Sequence, residues 1–312
     1  MSSDGSLGTA VGVSYSDYIV ELVSTEPHFA DYVEVPFELL MRAPAVLGNV
    51  LSHAPVILHC ASLSLAGNRP APLPLVQQLR QYACESRTPW IGEHLAFLRC
   101  GGPDCLSSLQ STGGSNAPAV HPDTQEYDVG YTVSPQMTPE IAQRTADVIG
   151  RYEEQLGIPL VVENSPVYFS MPGSSLSQTD FINCLCDARP TQRLLLDIVH
   201  LQITCANFGL EPRATLQALP LERVDEIHIS GHSQELDLCW DNHSRAADES
   251  TFDLLRLTLS RCTPKAITLE YNWGSTIPVE ILKRDVARVR GLIATTIDRH
   301  HVWASGSKPG FL

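Results

Sequence analysis

At 312 residues, 43% of them hydrophobic and 18% charged, the chain is long enough to bury a large core. It has no uninterrupted apolar stretch of membrane-spanning length, so a soluble protein with no membrane partner is expected. The formal net charge of −14, from 35 acidic against 21 basic residues, weighs against nucleic acid as a partner, because that affinity comes mostly from Lys and Arg neutralising phosphates.

The opening MSSDGSLGTAVGVSY lacks the basic region and apolar core of an export signal. Nine cysteines, an odd number at irregular spacing, suit a reducing compartment, and a cytoplasmic location is expected. Taken in chain order, short runs rich in Val, Ile and Leu then alternate with longer segments of helical period. The runs are AVGVSY (10–15), DYVEVPF (31–37), PVILHC (55–60), PWIGEHLAF (89–97), PLVVENS (159–165), RLLLDIV (193–199), VDEIHIS (224–230) and AITLEYN (266–272). Near-continuous apolar runs are what a parallel sheet covered on both faces requires, and their alternation with helical segments makes successive βα units. Eight units close a barrel, and such a barrel occupies about 250 residues as one domain. The expected fold is an α/β protein, a (β/α)8 TIM barrel, with a single catalytic domain over 10–300 between tails at 1–9 and 301–312. A doubly wound open sheet competes, but no Gly-rich phosphate turn follows the first run.

Of the intervening helices, 138–156 opens with Thr138, Pro139 and Glu140 and closes at Gly157, and 278–294 supplies the last. Residues 99–135, with CGGPDC, STGGSNAP and HPDTQEYDVGY, break the rhythm and are expected to form a long loop, a lid or partner-binding surface.

Six of the eight runs end in a potential metal ligand: His59, His94, Glu163, Asp197, His228 and Glu270. In a β/α barrel the C-terminal strand ends converge on one face, where the active sites of this fold sit. A carboxylate after three apolar residues, as at Glu163 and Asp197, needs a partner, since burying it alone raises its pKa or costs several kcal/mol. Three more candidates lie just beyond: His200, in D-x-x-H with Asp197, and Asp241 and His243, in D-x-H after the seventh run. Each alone has a bland explanation as a structural hydrogen-bonding group. Together the nine point to several ions, with imidazoles suited to iron or zinc and carboxylates able to bridge. No Cys is among them, which weighs against a structural zinc or an Fe–S cluster, and alternation points Cys60 away from His59. Glu93, Asn164, Glu226 and His232 are candidates to orient the ligands, while Glu34 and Glu38 either line the same mouth or cap local backbone.

In these residues the chain resembles the multinuclear non-heme iron-dependent oxidative enzymes. The resemblance runs from about Gly12 to Ile293 and rests on the ordered set YVEVPFELL, LHCASLSLAG, GEHLAF, VVENSPVYF, LLLDIVHLQITCANFG, VDEIHISGH, DNH and LEYN. It implies a xylose-isomerase-like barrel that holds two or three iron ions (Fe2+/Fe3+) and uses O2 as co-substrate. The implied substrate is a ribosomally made precursor peptide, modified most often at cysteine, as in the methanobactin and 3-thiaglutamate pathways. Three ligand sets are implied: His59, His94 and Glu163; Glu163, Asp197, His228 and Glu270; and His200, Asp241 and His243. Glu163, Asp197, His200 and Glu270 are expected to carry catalysis. The implied chemistry removes a hydrogen from the cysteine Cβ and ends in an oxazolone with a thioamide, or in excision of the β-carbon. A small leader-binding partner protein, forming a heterodimer, is implied as well. The chain departs from the common pattern at His200, where many members carry Asn, and at Asn272, where many carry Asp.

The same nine-ligand order resembles endonuclease IV, a barrel with three zinc ions that cuts DNA at abasic sites. The acidic balance and the scarcity of Lys and Arg beside the ligand-bearing strand ends weigh against it, LAGNRPAPLP offering only Arg69. A sugar isomerase of this barrel type usually needs a catalytic Lys, and the three lysines, Lys265, Lys283 and Lys308, all lie near the C-terminus.

Overall fold

All eight apolar runs become strands of one closed parallel barrel in the computed structural model, which describes residues 8–101, 126–271 and 277–304. Most of the 99–135 segment, Asn272, and tail residues 1–7 and 305–312 lie outside the described residues. The strands are β1 (Ala10–Ser14), β2 (Tyr32–Pro36), β3 (Val56–Cys60), β4 (Ile91–His94), β5 (Phe97–Gly101), β6 (Glu126–Val133), β7 (Leu160–Glu163), β8 (Arg193–Asp197), β9 (Val224–Ile229), β10 (Gly231–Glu235), β11 (Leu238–Arg245) and β12 (Ala266–Leu269). The barrel runs β1-β2-β3-β4-β7-β8-β9-β12 and closes through the pairing of β12 with β1.

Strand alternation sorts the side chains into two populations. Val33, Leu58, Ile91, Val162, Leu196 and Ile267 belong to the main core, packed against the helices. Tyr32, Ile57, Trp90, Val161, Leu195 and Ala266 form a second apolar cluster, which plugs the lower half of the barrel interior. Full burial of each such side chain contributes about 1.5–3 kcal/mol. Two residues further along the same strands, on the same interior face, stand Glu34, His59, Gly92, Glu163, Asp197 and Thr268. Apart from Glu226, in register with Ala266 and Leu195, the interior is therefore apolar below and polar above, and the change occurs within one strand period.

The helices follow their sequence signals. Pro139–Leu156 begins where Thr138 accepts from Ile141 N and ends at Gly157 in the left-handed region. The last helix, Val279–Ala304, runs well beyond residue 294. Two antiparallel hairpins stand where irregular loops were expected. The described ends of 99–135 pair as β5 with β6, and the segment after the seventh barrel strand pairs as β10 with β11. Irregularities hide both: the β5–β6 register shifts between Phe97 and Arg99, Gly130 sits at φ 71°, and Leu236 and Asp237 join β10 to β11 at φ 48° and 66°.

Candidate metal centre

Register puts the strand-end residues at one level, with His94 opposite Glu163 and Asp197 opposite His228. Asp197 ends β8 and caps the helix Ile198–Phe208, its Oδ1 accepting from His200 N at 2.6 Å. That cap explains the D-x-x-H spacing, because it holds His200 in the first turn, beside the strand ends. Asn164 clasps the same corner: it accepts from Asp197 N and donates to Asp197 O, both at 2.9 Å. Its own carbonyl lies 3.0 Å from His200 Nδ1, which leaves His200 Nε2 turned to Asp241 Oδ2 at 2.9 Å. Asp241 and His243 share a face of β11 because they are two residues apart. His243 adopts φ 48°, a conformation that costs a non-glycine residue about 1–3 kcal/mol and is concentrated at functional sites.

Glu163 is the hub. Its Oε2 lies 3.3 Å from His59 Nε2 and 3.4 Å from His94 Nε2, and its Oε1 lies 3.2 Å from His200 Nδ1 and 3.7 Å from His228 Nδ1. His228 Nδ1 also lies 3.0 Å from Glu270 Oε2, and His243 Nε2 lies 3.3 Å from Asp241 Oδ2. Each of the three sets named from the sequence has donor atoms within 4.8 Å of one another: His59, His94 and Glu163; Glu163, Asp197, His228 and Glu270; His200, Asp241 and His243. Exposure grades from the floor to the rim: the side chain of His228 is 0% exposed, that of His94 19% and that of His243 30%.

The electrostatics of the cluster are in conflict. Burial works against ionisation of Glu163, but the rings of His94, His200 and His59 outweigh it and hold the carboxyl well below its usual range. Glu270 is likewise held at about 2, against burial, by His228 and His243. Asp197 goes the other way, pushed up to about 6 by burial that His200 only partly offsets. Burial pushes His94 down to about 4 and leaves its ring neutral near pH 7. His243 rises to about 9, because Glu270 and Asp241 outweigh its burial.

Several donor atoms are left over. Glu163 Oε2, Asp197 Oδ2, Asp241 Oδ1 and His228 Nδ1 are buried without a hydrogen-bond partner. Among the described residues, none of the four carboxylates of the cluster is paired with Lys or Arg. Orphaned buried oxygens beside imidazole lone pairs are costly in a metal-free core and are satisfied by divalent cations, and the mixed N/O set fits iron, zinc or manganese.

Other sequence candidates separate. Glu34 points into the interior, 2.9 Å from His228 Nε2, and Glu226 lies 3.6 Å from the same atom. Glu38 instead caps the backbone after β3, accepting from Ala61 N and Ser62 Oγ. Glu93 faces away from the cluster toward Cys60 and accepts from Leu63 N and His94 N, so it supports the β4 backbone rather than a ligand ring. His232 is half-buried beside Asp248 and Arg245, and its link to the cluster is the charge of Asp241. Gly92 was not foreseen: a Cβ there would stand 2.6 Å from His59 Nδ1. Its signal was its place opposite His59 in the β3–β4 register, which only the paired strands reveal.

The profile described as "RiPP precursor modification enzyme MbnB/TglH/ChrH", RiPP standing for ribosomally synthesised and post-translationally modified peptide, matches residues 10–109 and 131–294. A UPF0276 protein of Bordetella parapertussis is 29% identical over 289 residues, covering 86% of this chain and 90% of its own. Among solved structures, the IOLI protein with a binding zinc atom is similar at TM-score 0.53 and 12% identity, over 93% of this chain and 99% of its own. A Rhodospirillum rubrum protein assigned as a xylose isomerase gives TM-score 0.53 and 14% identity, over 92% of this chain and 99% of its own. At these identities the two structures speak for the barrel fold alone.

Proposed function

The chain belongs to the RiPP precursor modification enzymes, and from that premise we propose that its upper barrel holds two or three iron ions and uses O2 to oxidise a cysteine of a ribosomally made peptide. The observation that carries this reading is Glu163, one carboxylate in reach of four imidazoles, placed to be shared between adjacent cations. Iron, when bound, would supply the activation of O2 and a site for a substrate thiolate. The chain's own residues do the rest. His59 and His94 would hold one ion with Glu163; Asp197, His228 and Glu270 a second, sharing Glu163; His200, Asp241 and His243 a third. The Asp197 cap and the Asn164 clasp fix the ring of His200 at the third set. Glu163, Asp197, His200 and Glu270 are the residues proposed to govern the reaction.

Substrate would approach from the rim, where His94 and His243 are most open. There Tyr168 stacks on Trp240 at 4.8 Å, and its hydroxyl accepts from Asp241 N. Tyr131 is 57% exposed nearby, and such an aromatic rim suits the flanks of a peptide. A small leader-binding partner belongs to the same proposal, with the β5–β6 and β10–β11 hairpins as the surfaces on offer.

The test is purification under anaerobic conditions with metal analysis, followed by addition of a Cys-containing precursor peptide and air. Iron in the protein, a ferric–thiolate absorption band, O2 uptake and a mass change at the cysteine are expected. Zinc content together with cleavage of abasic DNA would overturn the reading in favour of a nuclease.

A further inference from the structure

Glu34 sits at the floor of the centre, 2% exposed, and its carboxylate makes a single hydrogen bond among the described residues, between Oε2 and His228 Nε2 at 2.9 Å. A carboxylate buried with one polar partner is costly, so its presence on β2 calls for a reason. Its neighbour Glu226 is otherwise engaged: it accepts from Trp90 Nε1 at 2.6 Å and Thr268 Oγ1 at 3.1 Å. The opposite nitrogen of the same ring, His228 Nδ1, has no hydrogen-bond partner and lies 3.0 Å from Glu270 Oε2. A neutral imidazole carries one N–H and one lone pair. When the ring ligates through Nδ1, the nitrogen nearest Glu163 and Glu270, its N–H stands at Nε2, where Glu34 accepts it.

We propose that Glu34 is a positioning residue for the metal centre: it fixes the tautomer and the angle of His228, and it places a negative charge behind a ring that faces cations. The inference rests on the metal reading given above. Glu34, His59 and His228 also offer donor atoms within 4.8 Å of one another, which raises a further cation site as the competing role. Ligation of the second set through Nδ1 decides against it. A cation shared by Glu34 and Nε2 needs the lone pair at Nε2, and would then either leave a proton at Nδ1, facing the other ligands, or require an imidazolate. Hydrogen-bonded carboxylates behind ligating histidines raise ligand basicity, and losing one costs about 10–100-fold in metal affinity.

Cobalt(II) is a suitable probe, because its visible bands report coordination. Wild type, Glu34→Gln and Glu34→Ala are loaded with cobalt(II), titrated with a competing chelator, analysed for ions per chain at saturation, and checked for folding by circular dichroism. The expected result is the same number of ions in all three, with one class of site weakened about 10–100-fold in Glu34→Gln and at least as much in Glu34→Ala, and altered visible bands. The near-isosteric Glu34→Gln decides alone if Glu34→Ala does not fold. Unchanged affinity and bands in Glu34→Gln would overturn the proposal, as would one ion fewer at saturation, which would make Glu34 a ligand. If wild type itself takes up no cobalt(II), the metal reading falls and this inference with it; if wild type loads and the variants match it, only the role of Glu34 falls.

Discussion

The two ends of the barrel treat acidic side chains in opposite ways. At the N-terminal end Asp225 and Asp31 meet bases: Asp225 is held by Arg193 at 2.5 Å and Lys265 at 2.7 Å, and Asp31 by Arg290 at 3.0 Å. At the C-terminal end Glu163, Asp197, Asp241 and Glu270 face imidazoles and one another, with no Lys or Arg partner among the described residues. The lower charges are thus balanced within the chain. Among the described residues, the charge of the upper ones is balanced by protons on histidines or by cations. An end that violates local consistency in this way is where function is expected.

The largest effect that would break this contrast is at its hub. Glu163→Ala should lose most of the bound metal, measured as ions per chain, and all peptide oxidation; full metal retention would remove Glu163 from the shared position. Chelation comes next. A ligand present at 1,000 times its Kd stabilises by about 4 kcal/mol, so stripping the metal should lower Tm on the order of ten degrees by calorimetry. An unchanged Tm would place the metal elsewhere than in the folded core.

The contrast also has a pH signature. Glu34 and Asp197 titrate at about 7 and about 6 in the metal-free fold, above their unfolded values of about 4. Their contribution to metal-free stability is full below about pH 4 and is lost as pH rises through 6 to 7, while His94, held at about 4, offsets part of this. Metal binding displaces these protons, so the gain in Tm on adding metal should grow between pH 5 and 7, and a flat gain would contradict their placement in the centre.

Gly92→Ala should be milder. The added Cβ presses on His59 Nδ1, so affinity at the set of His59, His94 and Glu163 should weaken in chelator titrations, with a stability loss of about 1–3 kcal/mol from overpacking. The smallest effect belongs to the lower end: Lys265→Ala, at a partly exposed pair, should cost under about 1 kcal/mol in denaturant melts and leave metal content unchanged.

Much of this was legible in the chain. The eight runs, the capped helix after Thr138, and the level at which His59, His94, Glu163, Asp197 and His228 stand follow from strand and helix periods. The hairpins were not legible, because a register shift and residues at positive φ interrupt the alternation that signals a strand. The separation of Glu34 from Glu38 was not legible either. Both lie in YVEVPFELL, and only the closed barrel turns one toward His228 and leaves the other on the backbone after β3.

The sequence by itself determined which residues could be ligands and how far along each strand they stand, because backbone geometry repeats locally at periods set by covalent structure. Only the tertiary structure decided which of them meet. That Glu163 meets four imidazoles, that His228 turns Nδ1 upward and Nε2 down to Glu34, and that Gly92 leaves room for His59 all depend on the closure of eight strands far apart in the chain, whose contacts no local pattern encodes.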